Sequence, residues 1–191
     1  MNIKQKQILD AAFTLFYHQG FHAVGINEII KAANVAKKTL YNHFPSKDAL
    51  IIATLTQHHQ QLLQQLQQRL QLAVPGKDSL LVIFEQLDAW IQGEETPLPA
   101  FNGCYFTQAF AEFSAINPAI SDLCLQHKQA IQQLFSDHVQ EFEQDLTKQQ
   151  LLVDMFVLLY QGILANSPLN DNKNDAQQAM RYIENLLRFK R

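Results

Sequence analysis

The sequence predicts an all-α protein, and three observations predict it. Only six glycines and six prolines interrupt 191 residues. The Val/Ile/Thr alternation of strands is absent almost everywhere, while apolar residues recur at three- and four-residue spacing along nearly every segment. The first helix is expected over residues 3–19, where Ile8, Ala11, Ala12, Leu15 and Phe16 share a side and Gly20 stops it. A short second helix begins after Gly25 and carries Ile26, Ile29, Ile30 and Ala33. Asn34-Val35-Ala36 makes a turn, and a third helix runs from Lys37 to His43, ahead of Phe44-Pro45. Ser46 is placed to cap a long fourth helix reaching about residue 73. Its stripe of Ile51, Leu55, Leu62, Leu66 and Leu70 keeps helical register through a glutamine-rich tract, so that tract reads as a solvated helix face. Further helices are expected at about 77–93, 103–114, 118–145, 148–166 and 173–189. The breakers between them are Val74-Pro75-Gly76, Glu94–Pro99, Asn117-Pro118, Asp145–Thr147 and Ser167–Asn174. About nine helices result.

Hydrophobic residues make up 47% of the chain and charged residues 17%, enough apolar material for a sizeable core. No unbroken apolar run reaches the roughly 18 residues of a membrane span. The opening MNIKQKQILDAA lacks the apolar stretch of an export signal. The expectation is a cytoplasmic protein without a membrane partner. The net charge of −3 is unevenly spread. Residues 1–48 hold six lysines against three acids, a surplus of +3, and the rest holds nine bases against fifteen acids, a deficit of −6. A basic end on an acidic body suits a chain whose one end meets a polyanion.

The positions of those lysines sharpen this reading. Two short helices joined by a tight turn, with a third packed on them, make the layout of a helix-turn-helix, whose second helix enters the major groove. In that helix Leu40 and Phe44 lie four residues apart and can hold it to a core. Lys37, Lys38, Thr39, Tyr41, Asn42 and His43 remain for the other sides. These are phosphate donors, base-edge readers and an aromatic ring able to lie on the sugar-phosphate wall.

The whole segment Ile8–Leu50, ILDAAFTLFYHQGFHAVGINEIIKAANVAKKTLYNHFPSKDAL, resembles the DNA-binding region of the TetR (tetracycline-repressor) family. The likeness rests on Ala11-Ala12, Phe16, Gly20-Phe21, Gly25-Ile26-Asn27-Glu28-Ile29, Ala33-Asn34-Val35, Thr39-Leu40-Tyr41-Asn42-His43-Phe44 and Ser46-Lys47-Asp48-Ala49-Leu50. It implies Tyr41 and Lys47 on backbone phosphates, with Lys37, Lys38, Thr39, Asn42 and His43 facing base edges and flanking phosphates. Gly25 and Asn27 start the second helix, which approaches phosphate as well. The chain departs from the family pattern at three places. Asn34 stands where glycine is usual in the turn, Ala36 where serine often caps the recognition helix, and Lys38 where glycine or alanine is common. The resemblance further implies residues 1–48 as the DNA-binding domain and 49–191 as an all-helical effector-binding and dimerisation domain. It implies a ligand-responsive regulator, a repressor, binding a palindromic operator as a homodimer and released by a small molecule.

The remaining helices then need a second purpose. Leu152, Met155, Phe156, Leu159 and Ile163 form one stripe and Ala179, Met180, Ile183 and Leu187 another, and both are expected at the seam between two copies. An aromatic-rich middle offers Phe84, Trp90, Phe101 and Tyr105, with Cys104 beside them, as candidate effector-pocket residues. Few charges fall there, so a neutral or hydrophobic effector is favoured. Cys104 stands at a helix start, which leaves a thiol-based redox or electrophile sensor as an alternative. A helical adaptor that does not use its DNA-binding fold is another. The adjacent His58 and His59 point about 100° apart on a helix, and His127 with Cys124 is a lone pair. No metal or other cofactor is therefore expected. No phosphate loop, nucleophile elbow or paired His-Glu motif occurs, so no enzyme is expected.

Overall fold

The computed structural model describes residues 2–94, 98–170 and 173–188. Residues 95–97, 171–172 and 189, which belong to two expected loops and the expected end of the last helix, lie outside the described residues. Among the described residues there are nine α-helices and no strand. They are α1 (Ile3–Gln19), α2 (Ile26–Ala33), α3 (Lys37–His43), α4 (Lys47–Leu70), α5 (Lys77–Gln92), α6 (Tyr105–Phe113), α7 (Pro118–Val139), α8 (Leu146–Asn166) and α9 (Asp175–Arg188). A single 3-10 turn, Ser167–Leu169, follows α8.

Local chemistry sets most of these limits. The Asn2 side chain accepts the Lys4 and Gln5 amides and so caps α1, and the Gly20 amide closes on the Phe16 carbonyl at φ +87°. Asn34 ends α2 in the left-handed region at φ 50°, ψ 52°, a conformation asparagine tolerates better than most residues. Ser46 Oγ accepts the Ala49 amide at 3.0 Å at the head of α4. Asp145 Oδ1 accepts the amides of Thr147 and Lys148 and starts α8. For that reason α7 ends at Val139 and not near residue 145. The backbone leaves the helix so that Asp145 can cap the next one, and Glu141 turns to accept the Gly76 amide.

The helices gather into two compact units, one of residues 1–60 with 104–127 and the other of residues 61–103 with 128–191. The boundary expected at residue 48 falls inside the first unit, where the opening half of α4, α6 and the opening half of α7 pack with α1–α3. The core of the first unit buries Ile8, Ala12, Phe16, Phe21, Val24, Ile29, Leu40, Leu50, Ile51 and Leu55. Tyr105 sits among the rings of Phe13, Tyr17, Phe21, His58 and Phe106. Its hydroxyl shares a 2.8 Å hydrogen bond with Thr54 Oγ1, which satisfies a polar atom inside an apolar cluster. Burial, and then the neighbouring charge of His59, pushes His58 down to about 4, and burial, then His59 and His58, pushes His127 down to about 3. Both imidazoles stay neutral near neutral pH, and His127 Nδ1 lies 3.0 Å from His59 Nδ1, one donating and the other accepting.

The second unit is built on Leu80, Ile83, Phe84 and Leu87 of α5, Ala176, Ala179, Ile183 and Leu187 of α9, and the inward side of α8. Phe84, Phe135, Phe156 and Tyr160 touch one another there, with ring centroids 5.8–6.5 Å apart. This packing corrects the expected seam between copies. Leu152, Phe156, Ile163, Ala179, Ile183 and Leu187 are buried within the unit itself, and only Met155, Leu159 and Met180 of that set are half-exposed. The apolar residues that face outward are Leu151, Leu158, Tyr182 and Leu186, with Leu158 69% exposed. Spacing shows which residues share a helix face; whether that face meets its own core or another molecule is a tertiary matter. By length and composition alone, one helix among the described residues, Leu146–Leu169, is apolar enough to cross a membrane, and 44% of its most apolar 18-residue window is buried inside the chain.

Candidate nucleic-acid interface

The site grows out of how α3 is held. Leu40 is completely buried and Phe44 nearly so, which fixes one side of this seven-residue helix against α1 and α2. With that side fixed, Lys37, Lys38, Tyr41 and Asn42 are exposed, and Thr39 and His43 are half-exposed. Tyr41 leaves 40% of its surface to solvent, unusual for a ring its own core does not use. Ala36, at φ −75° and ψ 150°, occupies the cap position of α3 and supplies no side-chain cap to the Lys37 and Lys38 amides, while its carbonyl accepts the Thr39 amide at 2.9 Å. All seven expected residues of the 37–47 segment therefore lie on the surface or half on it, and the structure brings six of them together on one short helix.

Gly25 and Asn27 open α2, and both are exposed. Gly25 has an ordinary φ of −91°, and no atom lies within 4 Å of where a Cβ would stand. Nothing in the chain's own packing asks for glycine here, and the bare backbone leaves room for close approach from outside. Lys47 is half-buried at the first turn of α4, its ammonium 5.9 Å from the centroid of the Phe16 ring. Burial holds that ammonium below its usual range, against Glu112 and Asp48, which favour the charged form.

A residue that no local pattern marks completes this region. Glu112 of α6 reaches the turn between α1 and α2. There its carboxylate accepts the Phe21 amide at 2.9 Å and the His22 amide at 2.7 Å, and it pairs with His22 Nδ1 at 2.5 Å. Burial disfavours the charged carboxylate, but these hydrogen bonds outweigh that cost and hold Glu112 below the usual carboxylate range. Asn117, between α6 and α7, donates to Asp48 at 3.0 Å. Some 90 residues separate Glu112 from its partners, so helical periodicity carries no trace of the contact.

The candidate effector residues do not form one group. Phe84 and Tyr105 are fully enclosed by other rings, which makes them packed core and not cavity wall. Trp90 meets Phe101 edge-on at 4.9 Å, and its indole N–H donates to the Pro99 carbonyl at 2.6 Å. Cys104 is half-buried at the cap of α6, where its Sγ accepts the Thr107 amide at 3.4 Å. Burial, followed by the influence of Cys104, pushes the Cys124 thiol up to about 11. A groove of about 630 Å³ lies between α7 and α8, lined mainly by Gln129, Gln132, Gln133, Gln149 and Gln150, and includes none of the candidates. Among the described residues no group of three or more His, Cys, Asp or Glu could hold a metal ion.

Comparison with known proteins addresses the same segment. Residues 8–54 match the family described as bacterial regulatory proteins, tetR family. Over 89 residues, 47% of this chain and 41% of the relative, the sequence is 34% identical to the HTH-type transcriptional activator FasR of Mycolicibacterium smegmatis. Over 57 residues, 30% of this chain and 27% of the relative, it is 44% identical to the HTH-type transcriptional regulator RutR of Escherichia coli. The match thus spans less than half the length of either curated relative. The crystal structure of SCO4454, a TetR-family transcriptional regulator from Streptomyces coelicolor, is similar over 97% of this chain and 94% of that one, with a TM-score of 0.86 and 25% identity.

Proposed function

Because this chain belongs to the TetR family of transcriptional regulators, we propose that it is a homodimeric, ligand-responsive repressor acting on a palindromic operator in the cytoplasm. The observation that carries the reading is α3 itself: Leu40 and Phe44 anchor it, and Lys37, Lys38, Tyr41 and Asn42 are turned outward. Residues 1–48 meet the DNA. Tyr41 and Lys47, together with the open amides and bare backbone at Gly25, take phosphates and set the register. Lys37, Lys38, Thr39, Asn42 and His43 reach base edges, at about 1–3 kcal/mol of discrimination for each good bidentate pair. Lys38, where the family pattern has a small residue, adds a contact the pattern lacks.

Residues 49–191 serve effector binding and dimerisation. The outward stripe of Leu151, Met155, Leu158, Leu159, Tyr182 and Leu186 supplies the apolar face against a second copy. Pairing two α3 helices places them about one DNA turn apart (~34–36 Å), as a two-fold operator requires. A small neutral or apolar effector, held near Trp90 and Phe101, favours a conformer in which that spacing is wrong. It acts only to the extent that it binds this conformer more tightly.

The test is selection of duplexes from a random pool by the full chain, followed by fluorescence anisotropy across a salt series. The reading requires a recovered palindrome and a log-affinity that falls linearly with log salt concentration. Recovery of no preferred duplex would overturn it.

A further inference from the structure

We propose that Glu112 is a positioning residue for DNA binding. Its carboxylate, seated on the amides and imidazole of the 21–22 turn, latches α6 to the helix-turn-helix and sets the orientation of α3. The inference rests on the DNA-binding reading above and names a device within it.

Four observations converge on this latch. The turn is shaped to receive a carboxylate. Gly20 at φ +87° lets two successive amides, those of Phe21 and His22, point to the same place, as in a backbone anion nest. Both Glu112 oxygens are used, Oε1 by the Phe21 amide and Oε2 by the His22 amide and ring. The fit leaves no slack, since a Cβ on residue 20 would stand 3.1 Å from Glu112 Oε1. The neighbours of Glu112 on α6 grip the same turn, because the Phe113 ring stacks on His22 at 4.8 Å and meets Phe21 edge-on, while Phe21 also packs on Tyr105.

A second tie lies just beyond, where Asn117 donates to Asp48 in the first turn of α4. Segment 105–117 therefore holds the helix-turn-helix at both of its ends, once where the chain enters α2 and once where it has left α3. Along the chain this segment leads directly into α7, whose latter half belongs to the other compact unit. A displacement of α6 cannot leave the 21–22 turn in place unless three charge-assisted hydrogen bonds break. The position of α6 and the orientation of α3 are thus coupled by specific atoms.

Charge gives the test its sign. Glu112 is an anion close to a surface that meets phosphates, so removing its charge should by electrostatics alone tighten DNA binding. The latch predicts the opposite for specific DNA. With a palindrome selected on the wild-type chain, Glu112→Gln should bind roughly tenfold more weakly. Affinity for a scrambled duplex of equal length should stay the same or rise, because phosphate contacts dominate there. Amide exchange at Phe21 and His22 should accelerate while far-ultraviolet helicity is kept. His22→Ala, which leaves both amides in place, should give a smaller loss, and the double variant should lose less than the two single losses combined.

If Glu112→Gln binds the palindrome as the wild type does, or tightens on both duplexes in parallel, the latch is wrong while the DNA-binding reading stands. If the wild type prefers no duplex, both fall. Should Glu112→Gln lose helicity, His22→Ala decides alone, and an unchanged affinity for the palindrome overturns the latch.

Discussion

Helices α3 and α8 both carry side chains that their own cores do not use, and they do so in opposite ways. α3 is seven residues long, is held by Leu40 and Phe44, and turns lysines, a tyrosine and an asparagine outward. α8 is twenty-one residues long and apolar on both sides, with Phe156 fully buried and Leu158, two residues on, 69% exposed. A polar surplus face invites a charged polymer, and an apolar one invites a like surface. The same distinction decides how readable each helix is. Where anchor and free face differ in chemistry, sequence tells them apart. Where both are leucine-rich, it cannot.

Truncating the two sides of α8 in turn should separate its buried face from its outward one. Phe156→Ala removes a ring packed on Phe84 and Phe135 and should cost about 3–5 kcal/mol of unfolding free energy in urea titration. Leu158→Ala should change the stability of the isolated chain by no more than ~0.5 kcal/mol. Leu158→Glu should lower the sedimentation mass from two chains to one with helicity intact. If Leu158→Ala proved as damaging as Phe156→Ala, the inward and outward assignments would be wrong.

The free face of α3 should respond through binding and not through folding. Tyr41→Ala is expected to weaken operator binding roughly tenfold, the scale of a lost hydrogen bond to a charged group, with an unchanged melting curve. Normal affinity would remove its phosphate role. A smaller effect, and a gain, is expected at Ala36. Its φ and ψ already suit a cap, so Ala36→Ser should raise stability by about 1 kcal/mol, read as an upward shift of the melting temperature.

The weakest effect concerns acid. Glu112, with 27% of its side chain exposed, is held below the usual carboxylate range in the folded chain because hydrogen bonds from Phe21 and His22 outweigh its burial. A carboxyl depressed on folding contributes stability at pH values above its unfolded value. That contribution disappears as pH falls through the folded value. Urea midpoints measured from pH 7 down to 3 should therefore show an acid-side loss that is shallower in Glu112→Gln.

Much of this architecture is written locally. Asn34, Ser46 and the Leu40/Phe44 pair state their roles through turn chemistry, capping and spacing, and α3 falls on the expected residues, Lys37–His43. Asp145 shows the limit of such reading, since an acid between two helices can end one or cap the next, and here it caps. Phe84 and Tyr105 show another limit. An aromatic at helical spacing has the same pattern whether it faces a cavity or other rings, and these two face rings. Glu112 lies beyond local reading altogether, because its partners are distant in sequence and adjacent only after folding.

Trp90 gives the molecule its own optical label. It is the sole tryptophan, and its indole is pinned by the Pro99 carbonyl and the edge of Phe101, so its emission monitors the fit of residues 98–103 on α5. That signal arises in the second compact unit alone, whereas circular dichroism sums helices from both. Following denaturation by the two signals together asks whether the units melt as one cooperative body. Coincident curves would mean that they do, and separated midpoints would mean that each folds on its own account.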